Sequence, residues 1–214
     1  MNCNIEDLTG IECFIKLTDL NCSNNSLTEL PALPDTLTSL RCNSNSNSLT
    51  SLPALPAGLT SLGCTFNQLT SMPDLPETLS FLFCSSNQIT ALPALPAGIK
   101  SIYCYENCLT QIDLSGLSSL TEFNGTAQSV SLTLTKNGDV YSAAAAMTDP
   151  LFENDAFSYT DGMLISSDPS VSDTQFTSQT GVENWVLSGT IAVTYEDEQT
   201  ITEPTKPTTV ISEE

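Results

Sequence analysis

The chain has 214 residues, of which 25 are acidic, 5 are basic and none is histidine, for a net charge of −20. Such a surface repels DNA, RNA and anionic lipid. The missing imidazole removes the commonest general base and metal ligand, leaving paired carboxylates as the main enzyme chemistry still open. Hydrophobic residues make up 40%, enough to build a core, and no apolar run approaches the ~20 residues of a membrane span.

The first residues, Met1-Asn2-Cys3-Asn4, show neither a basic n-region nor an apolar h-region. A standard secretory signal is not expected, and the chain is expected to be made in a reducing cytoplasm. Cys3, Leu8, Ile11, Phe14, Leu17 and Leu20 then read as a worn first coil of a repeating structure, without the prolines that mark the later coils. Cys13 reads as part of that coil's core.

From Cys22 onward a frame returns. Cysteines stand at 22, 42, 64, 84 and 104, spaced by 20, 22, 20 and 20 residues. Leu59, Leu62, Cys64, Asn67, Leu69, Met72, Pro73, Leu75 and Pro76 recur in register as Leu79, Leu82, Cys84, Asn87, Ile89, Leu92, Pro93, Leu95 and Pro96, and Ile99 to Ile112 repeat much of it. The 22-residue interval carries the Asn-Ser run from Asn43 to Ser48. One such unit cannot bury its leucines, whereas stacked units bury them in a continuous column. Each unit predicts one short strand, such as Ser39-Leu40-Arg41-Cys42 or Ser61-Leu62-Gly63-Cys64, with Leu and Cys inward. Asn25, Asn67, Asn87 and Asn107, with Asn45 or Asn47 in the inserted coil, are expected to satisfy backbone groups where the chain turns away. The paired prolines predict an extended convex arm and no helix. Leu117 and Leu120 are expected to complete one more strand before the frame dissolves near Asn124-Gly125.

This frame, L-x-x-L-x-C-x-x-N-x-L-x-x-L-P-x-L-P, resembles the leucine-rich repeat, in the short 20-residue version seen in bacterial effectors of the YopM and IpaH families. The resemblance covers residues 1–125. It implies a parallel-stranded solenoid that binds proteins. Those effectors carry helical segments before the repeats, and many a helical ubiquitin-ligase domain after them. Neither is visible here, so no ligase activity is carried over.

Eight cysteines without histidine raise the question of a Cys-only zinc site or of disulfides. One Cys per coil favours a buried ladder of small apolar thiols. Ladder neighbours point the same way, which suits neither a disulfide nor a metal tetrahedron. No metal or cofactor is expected. Cys108, on a turn between Asn107 and Leu109, reads as the most exposed thiol.

The residues alternating with the inward ones should form the concave face: Asp19 and Asn21, Ser39 and Arg41, Ser61 and Gly63, Phe81 and Phe83, then Ser101, Tyr103 and Tyr105. Four aromatics on adjacent coils, with Arg41 and Gly63 beside them, give the candidate partner-binding set Arg41, Gly63, Phe81, Phe83, Tyr103 and Tyr105. Gly63 is expected to leave room for a partner's side chain. The alternative is that the C-terminal part of the chain folds back over the aromatics.

After Asn124 prolines become sparse, cysteines vanish, and Thr, Ser and Val rise. Val130, Leu132 and Leu134 alternate as in a half-buried strand, Lys136-Asn137-Gly138-Asp139 predicts a hairpin, two strands should flank Asp161-Gly162, and Trp185 to Tyr195 alternates again. Ala143–Ala146 fits either a helical turn or a tightly packed strand. Acidic groups such as Asp149/Glu153/Asp155 and Asp168/Asp173 lack a calcium-loop pattern and read as solvated surface. The expected organisation is mainly β: a leucine-rich-repeat solenoid over 1–125, a small all-β, sandwich-like domain of five to seven strands over 126–200, and an acidic Thr/Pro-rich tail over 201–214.

The expected function is non-catalytic. The β domain and tail would anchor the chain to neighbouring subunits of a large assembly, a virus or phage particle or a cell-surface structure, with the solenoid displayed for adhesion. The alternative is a translocated bacterial effector that binds host proteins through the repeats.

Overall fold

The computed structural model describes residues 4–45, 49–147, 150–183 and 185–196. Cys3, Asn47, Asp149 and the tail from residue 197, for which expectations were given above, lie outside the described residues.

Each repeat supplies one short strand: β1 (Asp19–Asn21), β2 (Ser39–Arg41), β3 (Ser61–Gly63), β4 (Phe81–Phe83), β5 (Ser101–Tyr103) and the first residues of β6 (Glu122–Asn137). All pair in parallel and in register, so that Leu20, Leu40, Leu62, Leu82, Ile102 and Phe123 form one inward row. Leu40, Leu62, Leu82 and Ile102 are fully buried, and so are Cys42, Cys64, Cys84 and Cys104 just after them. Backbone bonds carry the stack past the strands: Cys22, Cys42, Cys64, Cys84 and Cys104 each donate their N–H to the next coil at 2.8–2.9 Å. The prolines do a local job on the return. The carbonyls of Pro34, Pro56, Pro76 and Pro96 accept from Leu37, Leu59, Leu79 and Ile99, which swings the chain back into the sheet. A residue without an N–H loses nothing at that position.

The frame does not dissolve at Asn124-Gly125. It runs through one more coil with substituted parts, and its strand starts at Glu122, not at Leu117. Asn107 shows the regular pattern: its Nδ2 donates to the carbonyls of Cys84, Cys104 and Tyr105, and its Oδ1 accepts from Ile89 N–H at 3.0 Å. Gln128 does the same one coil on. Its Nε2 donates to the carbonyls of Cys104, Gly125 and Thr126, and its Oε1 accepts from Leu109 N–H at 2.9 Å. The residue before each amide is left-handed: Asn24, Ser44, Phe66, Ser86, Glu106 and Ala127 have φ of 54–58°. In the inserted coil it is Asn45 that holds the amide position, donating to the Cys42 carbonyl at 2.8 Å. Gly125 replaces the ladder cysteine because the core changes character there. A Cβ on it would lie 2.5 Å from the Phe123 ring and 2.9 Å from Leu187.

The first coil differs from expectation. Leu8, Leu17 and Leu20 pack against the core from half-buried positions. Phe14 is 60% exposed, and Cys13, in a short 3-10 turn over Ile11–Cys13, is exposed rather than in the core. With no coil stacked before it within the described residues, its outer side chains have nothing to pack on.

β6 is long because it serves two structures. Beyond its pairing with β5 it runs parallel to β12 (Val186–Glu196) and ends in a hairpin with β7 (Val140–Ala144) around Gly138-Asp139. On one side the order continues β12, β11 (Asp173–Gln179), β8 (Leu151–Phe152); on the other β7, β10 (Met163–Ser166), β9 (Phe157–Thr160). Asp161-Gly162 forms the expected tight turn between β9 and β10, both residues at positive φ. Ala143 and Ala144 lie in strand β7. The two wings meet over a core that includes Phe157, Leu164, Phe176 and Ile191. Tyr195 joins them, its ring edge-on to Tyr141 at 5.1 Å and its hydroxyl donating to the Val171 carbonyl at 2.6 Å. A register shift between Leu187 and Gly189 lets β12 pass the end of the repeat stack. A Cβ on Gly189 would fall onto the Gln128 carbonyl.

Candidate functional site

The parallel register converts the repeat into rows on the concave face. One row reads Asn21, Arg41, Gly63, Phe83, Tyr103, Asn124; the other reads Asp19, Ser39, Ser61, Phe81, Ser101, Glu122. Phe83 and Tyr103 therefore stand side by side, with ring centroids 5.5 Å apart and planes tilted by 32°. Phe81 is 39% exposed, and Phe83, Tyr103 and Tyr105 are half-buried. The C-terminal strands extend this sheet at its edge instead of folding back over the rings.

Arg41 is exposed in the same row, two strands from Phe83, so roughly 10 Å away at ordinary strand spacing. Gly63 between them is buried and does not leave the expected vacant space. The Asn43 amide lies 3.2–3.3 Å from where a Cβ would sit, held there as its Oδ1 accepts from Thr65 N–H at 2.8 Å.

Three further residues on or near this face escaped the sequence reading. Phe66, at 50% exposure and φ +58°, sits at the left-handed position filled by Ser44, Ser86 and Glu106 in other coils. Glu122 ends the Phe81 row, accepting from the Ser101 hydroxyl, with the Tyr103 hydroxyl 3.4 Å away. Trp185 packs against Phe123, with ring centroids 6.1 Å apart and planes tilted by 42°. Tyr103, Glu122, Asn124, Thr126 and Trp185 line a groove of about 530 Å³ beside the aromatic pair. Aligning the position two residues after each ladder cysteine would have exposed Phe66. Glu122 was hidden because its coil lacks the cysteine that marks the frame.

The ladder thiols are a structural element. Burial pushes Cys22 up to about 11 and Cys104 up to about 12, and raises Cys42, Cys64 and Cys84 further. These groups stay protonated, and the seven described cysteines are free thiols. Cys13 is the exposed thiol; Cys108 is half-buried, with burial raising its pKa too. Cys108 is therefore not a poised nucleophile. Among the described residues, no three Cys, Asp or Glu side chains converge to hold a metal. No helix among them is long and apolar enough to cross a membrane.

No protein-family model matches the chain, and no curated protein does. Among solved structures, the functional domain of InlJ from Listeria monocytogenes, which includes a cysteine ladder, superposes with a TM-score of 0.68 over 90% of this chain and 46% of that one, at 18% identity. The chain has a leucine-rich-repeat fold. At 18% identity the likeness to InlJ speaks to fold alone. YopM from Yersinia enterocolitica WA-314 is 33% identical over 50% of this chain and 23% of its own, with a TM-score of 0.47. A Shigella effector LRR domain is 37% identical over 56% of this chain and 50% of its own, with a TM-score of 0.43. The chain spans half or less of the length of each. The leucine-rich-repeat stack and the C-terminal strands share one sheet through β6, so the aromatic face continues into the groove at Trp185.

Proposed function

We propose that this chain is a non-catalytic protein-binding module whose concave face, centred on Phe81, Phe83, Tyr103 and Tyr105, captures a protein partner. The observation that carries the reading is the Phe83–Tyr103 pair, half-exposed on a parallel sheet with Phe81 open to solvent in the neighbouring row. Aromatics grouped on a rigid surface are favoured binding anchors, because they bring large contact area at little entropic cost. Arg41 adds a charged contact at one side of the same row.

For the setting, the L-P-x-L-P frame favours a translocated effector that meets proteins of another cell. Anchoring in a virion or other assembly rests on the β-rich composition of the second half and is the weaker of the two readings; the division into a 1–125 solenoid, a 126–200 β domain and a 201–214 tail rests on where the repeat frame and the composition change, and β6 runs across its first boundary. The test is a pull-down from candidate host-cell extract with the full chain and with Phe83→Asp/Tyr103→Asp. The double variant should keep its fold by circular dichroism and lose the partners that the parent retains. Equal retention by both proteins would overturn the assignment of the binding face.

A further inference from the structure

The aromatic face carries a charge pattern that specifies what it takes. We infer that, if the concave face is the binding face, its recognition element is a cationic side chain of the partner, an arginine, laid over Phe83 and Tyr103 with its guanidinium turned toward Glu122.

Three observations converge. The first is the aromatic pair itself, half-exposed and 5.5 Å apart, with Tyr103 lining the groove. Ring faces are electron-rich and attract a cation, guanidinium most often, because its planar, weakly hydrated head stacks as well as pairs. The second is the charge in the surrounding rows. Across β4, β5 and the start of β6, and the three residues after each, the only charged side chains are Glu106 and Glu122, both negative; the nearest bases are Lys100, just before β5, and Arg41, two strands from Phe83. The third is the geometry of Glu122. Its Oε2 is tied down by the Ser101 hydroxyl, and Ser101 is 2% exposed, so the carboxylate is fixed beside Tyr103 while its residue stays exposed at the groove. A fixed carboxylate next to a ring face suits a forked donor better than a mobile one does. The groove of about 530 Å³ beyond Tyr103 has the size of an ordinary small-ligand cleft, with room for a long side chain. The net charge of −20 steers cationic segments to the molecule in the first place. An aliphatic anchor would draw nothing from Glu122, and an acidic one would be repelled by it.

The experiment uses the full chain and three short peptide amides, identical except for a central arginine, lysine or citrulline flanked by glycine and serine. Ring resonances of Phe83 and Tyr103 are followed by NMR at low salt. The arginine peptide should shift both rings saturably. Citrulline, isosteric but uncharged, should bind at least about ten-fold more weakly. Lysine should fall between them. Glu122→Gln keeps an acceptor for Ser101, so it should leave the fold intact and weaken arginine binding by about ten-fold. Equal binding of arginine and citrulline peptides overturns the inference, and so does the absence of ring shifts at millimolar peptide. The two readings separate cleanly. If Phe83→Asp/Tyr103→Asp abolishes partner capture while Glu122→Gln and added salt leave it unchanged, the binding face stands and the arginine does not.

Discussion

Gln128 offers the sharpest test of how the repeat stack ends. Its side chain is 1% exposed and makes four hydrogen bonds, three as donor to the Cys104, Gly125 and Thr126 carbonyls and one as acceptor from Leu109 N–H. Replacing it by leucine keeps the bulk and removes all four. The carbonyl of Cys104 retains its bond from Asn107, but Leu109 N–H has no other acceptor among those found and is left buried. An orphaned buried donor costs about 1–3 kcal/mol, and the lost net bonds add to it. The expected total for Gln128→Leu is therefore about 2–4 kcal/mol, or a drop in Tm of roughly 4–15 °C for a chain of this size. Thermal melting and urea titration measure the global effect. Hydrogen exchange at the Leu109 amide measures the local one, and protection there should fall while Leu69 and Ile89, bonded to Asn87 and Asn107, stay protected. An unchanged Tm together with a protected Leu109 amide would refute the idea that Gln128 closes the ladder.

Other consequences follow from the same geometry. Gly189→Ala drives a Cβ onto the Gln128 backbone, which cannot yield as a side-chain tip could, so the variant should lose at least about 3 kcal/mol in urea titration. The buried thiols make the fold sensitive to alkali. Unfolded cysteines ionise above about 9, whereas the folded ladder holds its protons to about 11 or beyond, so the stabilisation is complete below pH 9 and falls as pH rises. The loss is ~1.4 kcal/mol per thiol per pH unit, and the urea midpoint should drop steeply between pH 9 and 11, less so in Cys64→Ala. Thiol labelling of the folded chain should modify Cys13 at once and Cys108 slowly, while Cys42, Cys64, Cys84 and Cys104 react only on unfolding; immediate labelling of Cys84 would contradict the burial described.

The repeat was legible because its chemistry is redundant. Leucine, cysteine, asparagine and proline each mark the same register, so strand positions and the concave row could be read from spacing alone. The reading failed where one physical role is filled by a different residue. Gln128 reaches the partners of an asparagine, and Gly125 vacates the cysteine position for Phe123 and Leu187, so the last coil keeps the leucine at Leu120 but lacks the cysteine and asparagine that mark the frame. Gly63 misled for a related reason: the space it opens is taken by Asn43 from the coil before, a contact between residues 20 apart. In the second half the hairpins at Gly138-Asp139 and Asp161-Gly162 were visible from turn chemistry. The parallel pairing of β6 with β12 was not, because two strands some 60 residues apart carry no local signal of being neighbours. Glu122 was missed along with its coil, and with it the acidic end of the aromatic row.

The claim that the concave face does the binding is tested most directly by site-specific photo-crosslinking in the presence of candidate partner cells. A photoreactive phenylalanine analogue is placed at Tyr103 on the concave face and, separately, at Gln111 on the exposed outer arm. The account predicts a discrete crosslinked protein from position 103 and none from position 111, suppressed by Phe83→Asp in the same chain. A product from position 111 alone, or one from position 103 that survives Phe83→Asp, would contradict it.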